Sequence, residues 1–183
     1  IKKLVDSEYS YICELKYDGV AISLSYENGN LIRAVTRGDG LQGEEVTNNI
    51  RTIPSIPLNL IGDFPKQIEV RGEVIFPKPA FEALNIEREK NELPLFSNPR
   101  NTASGTLKLQ DSSVAAQRKL DCFLYSAFFK DSKITKSIDQ YKLLKDFGFK
   151  IPSSSKKFIE QVKDPDEIMK FINYWDKERH LLP

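Results

Sequence analysis

The chain has 183 residues, 40% hydrophobic and 29% charged, and its 27 basic and 26 acidic side chains leave a formal net charge of +1. That length allows one sizeable soluble domain whose core needs no covalent staples. Near-neutral charge excludes a protein-wide field that would draw in a polyanion, so any nucleic-acid surface must be a local patch.

Cys13 and Cys122 are the only cysteines. With no Cys-x-x-Cys pair, a disulfide framework is excluded and no zinc site is expected in this chain. No apolar run approaches the ~20 residues of a membrane-spanning helix, and the opening stretch is too polar for a secretory signal. A cytoplasmic setting without membrane association is therefore expected. The chain starts on Ile1 and ends on Arg-His-Leu-Leu-Pro, which reads as a piece of something longer.

In chain order, residues 9–15 alternate like a strand, and 20–26 form a second strand after Lys-Tyr-Asp-Gly. Asn28-Gly29 predicts a two-residue type I′ turn into a third strand over 31–36. Counting back from that turn pairs Glu27 with Asn30, Tyr26 with Leu31, Ile22 with Val35 and Val20 with Arg37. The hairpin would then fold Arg37-Gly38-Asp39-Gly40 beside Lys16–Gly19. Residues 43–53 carry Val46, Asn49, Ile50 and Ile53 at helical spacing. After a proline-punctuated connection, 67–76 reads as a strand with Ile68, Val70 and Val74 on one face and Glu69, Arg71 and Glu73 on the other. Pro79 introduces a helix with Phe81, Leu84 and Asn85 inward. Residues 96–111 read as a polar loop or short helix and 120–129 as an apolar strand. Further helices are expected at about 137–147 and 165–178. Strands interleaved irregularly with helices predict an α+β fold of mostly antiparallel sheets flanked by helices.

Several groups could carry chemistry. Lys16 sits between Glu14 and Asp18. An amine with an ordinary pKa near 10.4 becomes a nucleophile only when its surroundings lower that value, and the same pattern also suits a surface salt-bridge cluster. Arg37-Gly38-Asp39-Gly40 could present amides and a guanidinium to phosphate or ribose, or be an ordinary glycine loop. Gly72, inside an otherwise good strand, marks a place where a ligand could approach, although Glu69, Arg71 and Glu73 could equally be a solvated face. Arg100 and Lys108 could face phosphates or simply be solvated around a capped polar turn. Tyr125 could be core, or a flat surface for a purine.

Taken together, "CELKYDGVAISLSYENG", "TRGDGLQGEEVTNNIRTIP", "EVRGEVIFPKPAFEALN" and "FSNPRNTASGTLKLQD" closely resemble the adenylation domain of the bacterial NAD+-dependent DNA ligases. The likeness is nearly continuous from Ile12 to Tyr125 and returns around "YWDKERHLLP". It implies the ligase and capping-enzyme nucleotidyltransferase fold, ATP-grasp-like in layout, over residues 1–183. It also implies Lys16 as the nucleophile that attacks the α-phosphorus of NAD+, with release of nicotinamide mononucleotide (NMN). Glu14, Tyr17, Asp18, Gly19, Arg37, Glu73 and Tyr125 are implied at the nucleotide, with Glu14 on the adenine edge and Tyr125 stacked on the ring. Arg100, Lys108 and Arg179 are implied as DNA or phosphate contacts, and Glu73 as a contact for Mg2+ or Mn2+. Lys108 stands where the family's "GSLRQLD" segment has a second arginine, so the bidentate fork is lost there.

The implied partners are NAD+, AMP and nicked double-stranded DNA, with a monomeric protein. The family's NMN-binding subdomain, final lysine motifs, OB-fold, zinc module, helix-hairpin-helix region and BRCT domain are expected to lie outside this chain, with zinc only there. The 183 residues alone are accordingly expected to bind adenine nucleotide without reacting. Two alternatives remain at this stage: an ATP- or GTP-dependent nucleotidyltransferase of the same superfamily, and a non-catalytic nucleotide-binding module.

Overall fold

The computed structural model describes residues 9–38, 40, 42–130, 136–152 and 154–182. The chain falls into two units, Tyr17–Ile151 and Ile1–Lys16 with Pro152–Pro183. In the second of these, β1 (Tyr11–Glu14) pairs antiparallel with β6 (Ile159–Val162). The helix α6 (Pro165–Glu178) packs its Phe171 and Trp175 inward beside Ile159 and Val162. The start of α6 is legible in "DPDE": Asp164 accepts the Glu167 amide at 2.9 Å, Pro165 opens the first turn, and Glu167 accepts the Lys163 amide. The Trp175 indole donates to the Lys157 carbonyl at 2.9 Å. The short strand β6 lies between the helices expected at about 137–147 and 165–178, where the sequence reading places no element.

The Tyr17–Ile151 unit holds a four-stranded antiparallel sheet in the order β3-β2-β4-β5, formed by β2 (Val20–Glu27), β3 (Asn30–Thr36), β4 (Gln67–Ile75) and β5 (Asp121–Phe128). Asn28 and Gly29 have φ of 48° and 80°, the two left-handed residues that a type I′ turn requires. Glu27 pairs with Asn30 and Tyr26 with Leu31, as the turn dictates. Beyond that point the predicted register fails. The ladder shifts between Ser25 and Tyr26, so Ile22 faces Thr36 rather than Val35, and Arg37 donates its amide to Ala21 rather than lying opposite Val20. The extra residue lies in β3, where Ile32 and Arg33 are both exposed between buried Leu31 and Ala34, and a count from the turn does not place it.

One face of the sheet is the core. Leu24, Tyr26, Ile68, Val70, Val74, Cys122 and Leu124 pack there with Leu144, Phe147 and Phe149 from α5 (Ser137–Asp146) and the turn after it. Each fully buried Leu or Val contributes roughly 1.5–3 kcal/mol. The helix predicted over 43–53 shrinks to α1 (Thr47–Ile50), because residues 44–46 run beside β3 first. There Thr36 donates its amide to the Glu44 carbonyl and Val46 donates to Ala34. Val46, Asn49, Ile50 and Ile53 are all buried as expected. The helix α2 (Lys78–Lys90) lays Phe81 and Leu84 against the core. The polar stretch 96–111 is more ordered than it reads: Pro99–Leu107 is the helix α3, followed by α4 (Ser112–Gln117).

Candidate functional site

On the other face of the sheet, strand register sets chemically distinct residues in rows. Ala21 pairs with Glu73, Glu73 pairs with Phe123, and the Arg37 amide reaches Ala21 at 3.1 Å. One row therefore reads Arg37, Ala21, Glu73, Phe123. The next reads Val35, Ser23, Arg71, Ser126. The β2 side chains in the middle of both rows are small, so the centre of this face is low between a basic rim at Arg37 and the aromatic side of β5.

The chain enters this face through Tyr17-Asp18-Gly19, which three contacts fix. The Gly19 amide donates to Glu73 Oε1 at 3.1 Å. A Cβ at Gly19 would lie 2.0 Å from the Val74 carbonyl oxygen, so only glycine permits this approach to β4. The Tyr17 ring stacks on Phe123, with centroids 4.2 Å apart and planes 12° apart. Lys150 Nζ lies 4.9 Å from the centroid of the same Phe123 ring and pairs with Asp121. The Asp18 carboxylate pairs with Arg100 Nη1 at 2.8 Å. Arg100 is held in the first turn of α3, which Asn98 caps by accepting the Asn101 amide at 3.1 Å, with Pro99 following.

Tyr125 lies where β4 and β5 slip register, between the pairs Gly72–Leu124 and Arg71–Ser126. The bulge turns it out of the core, and it is 37% exposed. Burial of its ring raises the phenol pKa, the Glu73 carboxylate adds to that, and the Arg71 and Arg37 guanidiniums oppose it. Glu73, Arg71, Arg37 and Tyr125 are thus electrostatic neighbours. The expectation that Gly72 marks a ligand approach is corrected. Its missing Cβ would meet Leu124 Cδ2 at 2.3 Å and the Phe123 carbonyl oxygen at 2.5 Å, so the close neighbour is β5 itself.

The expected site residues divide between the two units. Tyr17, Asp18, Gly19, Arg37, Glu73, Arg100, Lys108 and Tyr125 belong to Tyr17–Ile151, whereas Glu14, Lys16 and Arg179 belong to the other. Glu14 ends β1 opposite Ile159. Lys16 is exposed just after Leu15, whose amide donates to the Phe158 carbonyl at 3.1 Å. Arg179 opens a 3-10 turn after α6 and is exposed. Asp39 lies outside the described residues, while Gly38 and Gly40 beside it have φ of 55° and 97°. Lys108, at the C-terminal end of α3, pairs with Glu44. Buried Asn49 anchors that end, donating from Nδ2 to the Leu107 and Leu109 carbonyls at 2.7 Å each.

Among the described residues no group of three or more His, Cys, Asp or Glu side chains could hold a metal. Glu73 offers a single carboxylate, a donor set that suits Mg2+ completed by substrate phosphates and water rather than an all-protein cage. Sequence reasoning missed Phe123, Lys150 and the small floor at Ala21 and Ser23. The alternation of "VAISLSY" carries that last signal, with Ile and Leu inward and Ala and Ser outward.

Comparison with known proteins covers the whole chain: the family described as the NAD-dependent DNA ligase adenylation domain matches residues 1–183. The chain belongs to this family. The adenylation domain is 49% identical over 185 residues to a DNA ligase of Christiangramia forsetii. It is 51% identical over 183 residues to one of Flavobacterium psychrophilum and 50% identical over 184 residues to one of Phocaeicola vulgatus. Each alignment takes in 100% of this chain and 27% of the relative, so the adenylation domain spans about a quarter of the length of these ligases.

Proposed function

We propose that the full-length protein seals nicks in double-stranded DNA by NAD+-dependent adenylation of Lys16. The observation that carries this reading is the locking of Tyr17-Asp18-Gly19, the residues directly after the lysine, onto Glu73 and Arg100. A nucleophile needs a fixed approach to its phosphorus, and the lock falls on the backbone directly after it in the chain. In the first step the Lys16 amine forms an N–P bond to the α-phosphorus of NAD+ and gives up a proton to water. The bond to the NMN phosphate breaks and its electron pair leaves with NMN. The adenylyl group then passes to the 5′-phosphate at the nick, and the 3′-hydroxyl displaces AMP as the strand closes.

Each site residue has a role in this reading. Tyr125 stacks on the adenine, Glu14 reads its edge, and Arg37 faces ribose and phosphate. Tyr17 positions the loop through Phe123. Arg100, Lys108 and Arg179 act on phosphates in the DNA-joined steps. Glu73 is the residue that would hold Mg2+, which when bound offsets charge at the phosphates. The proposed setting is cytoplasmic and the proposed state monomeric. Residues 1–183 alone are proposed to bind adenine nucleotide without taking AMP from NAD+.

Mass spectrometry of the full-length protein after incubation with NAD+ and Mg2+ tests the reading. One AMP on Lys16, lost in Lys16→Ala, is expected. Adenylation that persists in Lys16→Ala would sink it.

A further inference from the structure

Arg100 and Lys108, the two basic residues at the ends of α3, are each neutralised by a carboxylate, Asp18 and Glu44. Beside the same helix stand two arginines with no such partner. Arg88 on α2 and Arg118 after α4 both lie over the ring of Phe96, with Cζ at 4.2 Å and 5.2 Å from its centroid. Neither forms an ion pair among the described residues.

Their positions are built rather than incidental. Asn85, one turn before Arg88 on α2, clamps Phe96 from both sides of its peptide: it donates to the Phe96 carbonyl and accepts the Phe96 amide, both at 2.9 Å. Arg88 Nε donates to the Pro94 carbonyl at 2.6 Å, and Arg118 Nη1 donates to Thr106 Oγ1 on α3 at 3.2 Å. Each guanidinium has five N–H donors, so each keeps four free of protein hydrogen bonds among the described residues. Stacking over an aromatic face holds a guanidinium in place while leaving its charge uncompensated. Burial, with the Arg88 charge adding to it, lowers the Arg118 pKa, the response of a cation that lacks an anion.

We propose that Arg88 and Arg118, held on Phe96 beside α3, form a phosphate-binding point for the DNA backbone. Guanidiniums are weakly hydrated and match phosphate oxygens two at a time, so this pair suits a phosphodiester better than a base edge. The segment Phe96-Ser97-Asn98 leads directly into the α3 cap and Arg100, which makes the DNA backbone the favoured anion. The inference rests on the nick-sealing reading above.

The test uses the full-length protein and a nicked duplex. The slope of log K against log salt changes by about 0.9 for each phosphate neutralised on B-form DNA. The double variant Arg88→Gln/Arg118→Gln is expected to keep self-adenylation while its slope becomes shallower by about 0.9–1.8. Arg88→Lys/Arg118→Lys, which keeps charge without the flat stack, is expected to retain the wild-type slope. An unchanged slope in an adenylating Gln variant overturns the proposal. If the Gln variant does not fold, phenylglyoxal modification of the wild-type protein decides, mapped by mass spectrometry. Protection of both arginines by the duplex supports the proposal, and undiminished reactivity overturns it. A wild-type protein that takes no AMP from NAD+ would sink the nick-sealing reading, while salt dependence measured on the duplex would still test this site.

Discussion

Glu73 on β4 accepts the amide of Gly19 at 3.1 Å across 54 residues of sequence, joining the turn after the lysine to the middle of the sheet. The bond needs an acceptor at Glu73 and no Cβ at Gly19, and the two requirements can be separated. Glu73→Gln retains the acceptor, whereas Glu73→Ala leaves a part-buried amide unpaired, which costs about 1–3 kcal/mol. Adenylation of the full-length protein is expected to fall further in the Ala variant than in the Gln variant. Equal losses would mean that charge alone is used. Gly19→Ala, whose Cβ would sit 2.0 Å from the Val74 carbonyl oxygen, is expected to lose adenylation as fully as Glu73→Ala.

The bulge that turns Tyr125 outward makes a prediction about nucleotide affinity. Stacking a base on an aromatic ring is worth about 1–3 kcal/mol. Tyr125→Ala should therefore weaken AMP binding roughly 10-fold or more, read by titration calorimetry, while Tyr125→Phe stays near wild type. Loss in both variants would point to the hydroxyl rather than the ring.

Arg100 separates stability from function. Its pair with Asp18 is exposed on both sides, so it should contribute about 0–1 kcal/mol to folding. Arg100→Ala is expected to leave the urea midpoint nearly unchanged and to slow sealing of a pre-adenylated nick. A large fall in the midpoint would reassign it as a structural residue.

Asn49 should show the opposite behaviour. One buried amide group satisfies the Leu107 and Leu109 carbonyls, and Asn49→Ala leaves both without a donor. Thermal or urea unfolding should show a loss of about 2–4 kcal/mol. Asn49→Asp should be worse, because it buries a carboxylate against two carbonyl oxygens.

Alkaline pH should destabilise the core. Burial raises the Tyr26 phenol above its ordinary 10.0, with Cys122 adding to it, and raises the Cys122 thiol above 9.0, with Asp121 and Glu73 adding and Lys150 opposing. Both groups hold protons in the folded state that the unfolded state releases first. Their contribution is complete below the ordinary values and is lost as pH climbs past them. Urea midpoints should fall from about pH 9 upward. Cys122→Ala should flatten the earlier part of that decline and Tyr26→Phe the later part, even though the latter also loses a 2.8 Å bond to the Pro57 carbonyl.

How much was readable beforehand depends on the range of the interaction. The Asn28-Gly29 turn, the alternation in β4 and the apolar run of β5 are local, and each predicts its element and its inward face. The bulges at Tyr26 and Tyr125 are not local, because one extra residue is decided by how two strands fit. Hence the turn count predicts Val35 opposite Ile22 where Thr36 stands, and a glycine inside a strand leaves open a ligand approach where Leu124 packs. The start of α3 is legible in Asn98-Pro99, and the sequence allows a short helix there, but the support of its far end by Asn49 comes from about 60 residues away and spacing does not display it. Of the candidate site, the glycine and charged motifs were legible as residue types. Phe123 and Lys150 were not, since a stacking partner becomes visible only when β5 lies beside β4.

Ala21 and Ser23 have a consequence of their own. A floor made of side chains one or two heavy atoms deep can be recut without touching any charged group. Ala21→Val would act as a steric plug, closing the face to a purine while leaving the core side of β2 as it is. Ser23→Gly would instead open a notch for an adenine analogue bearing an added alkyl arm, giving an orthogonal enzyme–nucleotide pair on the same fold.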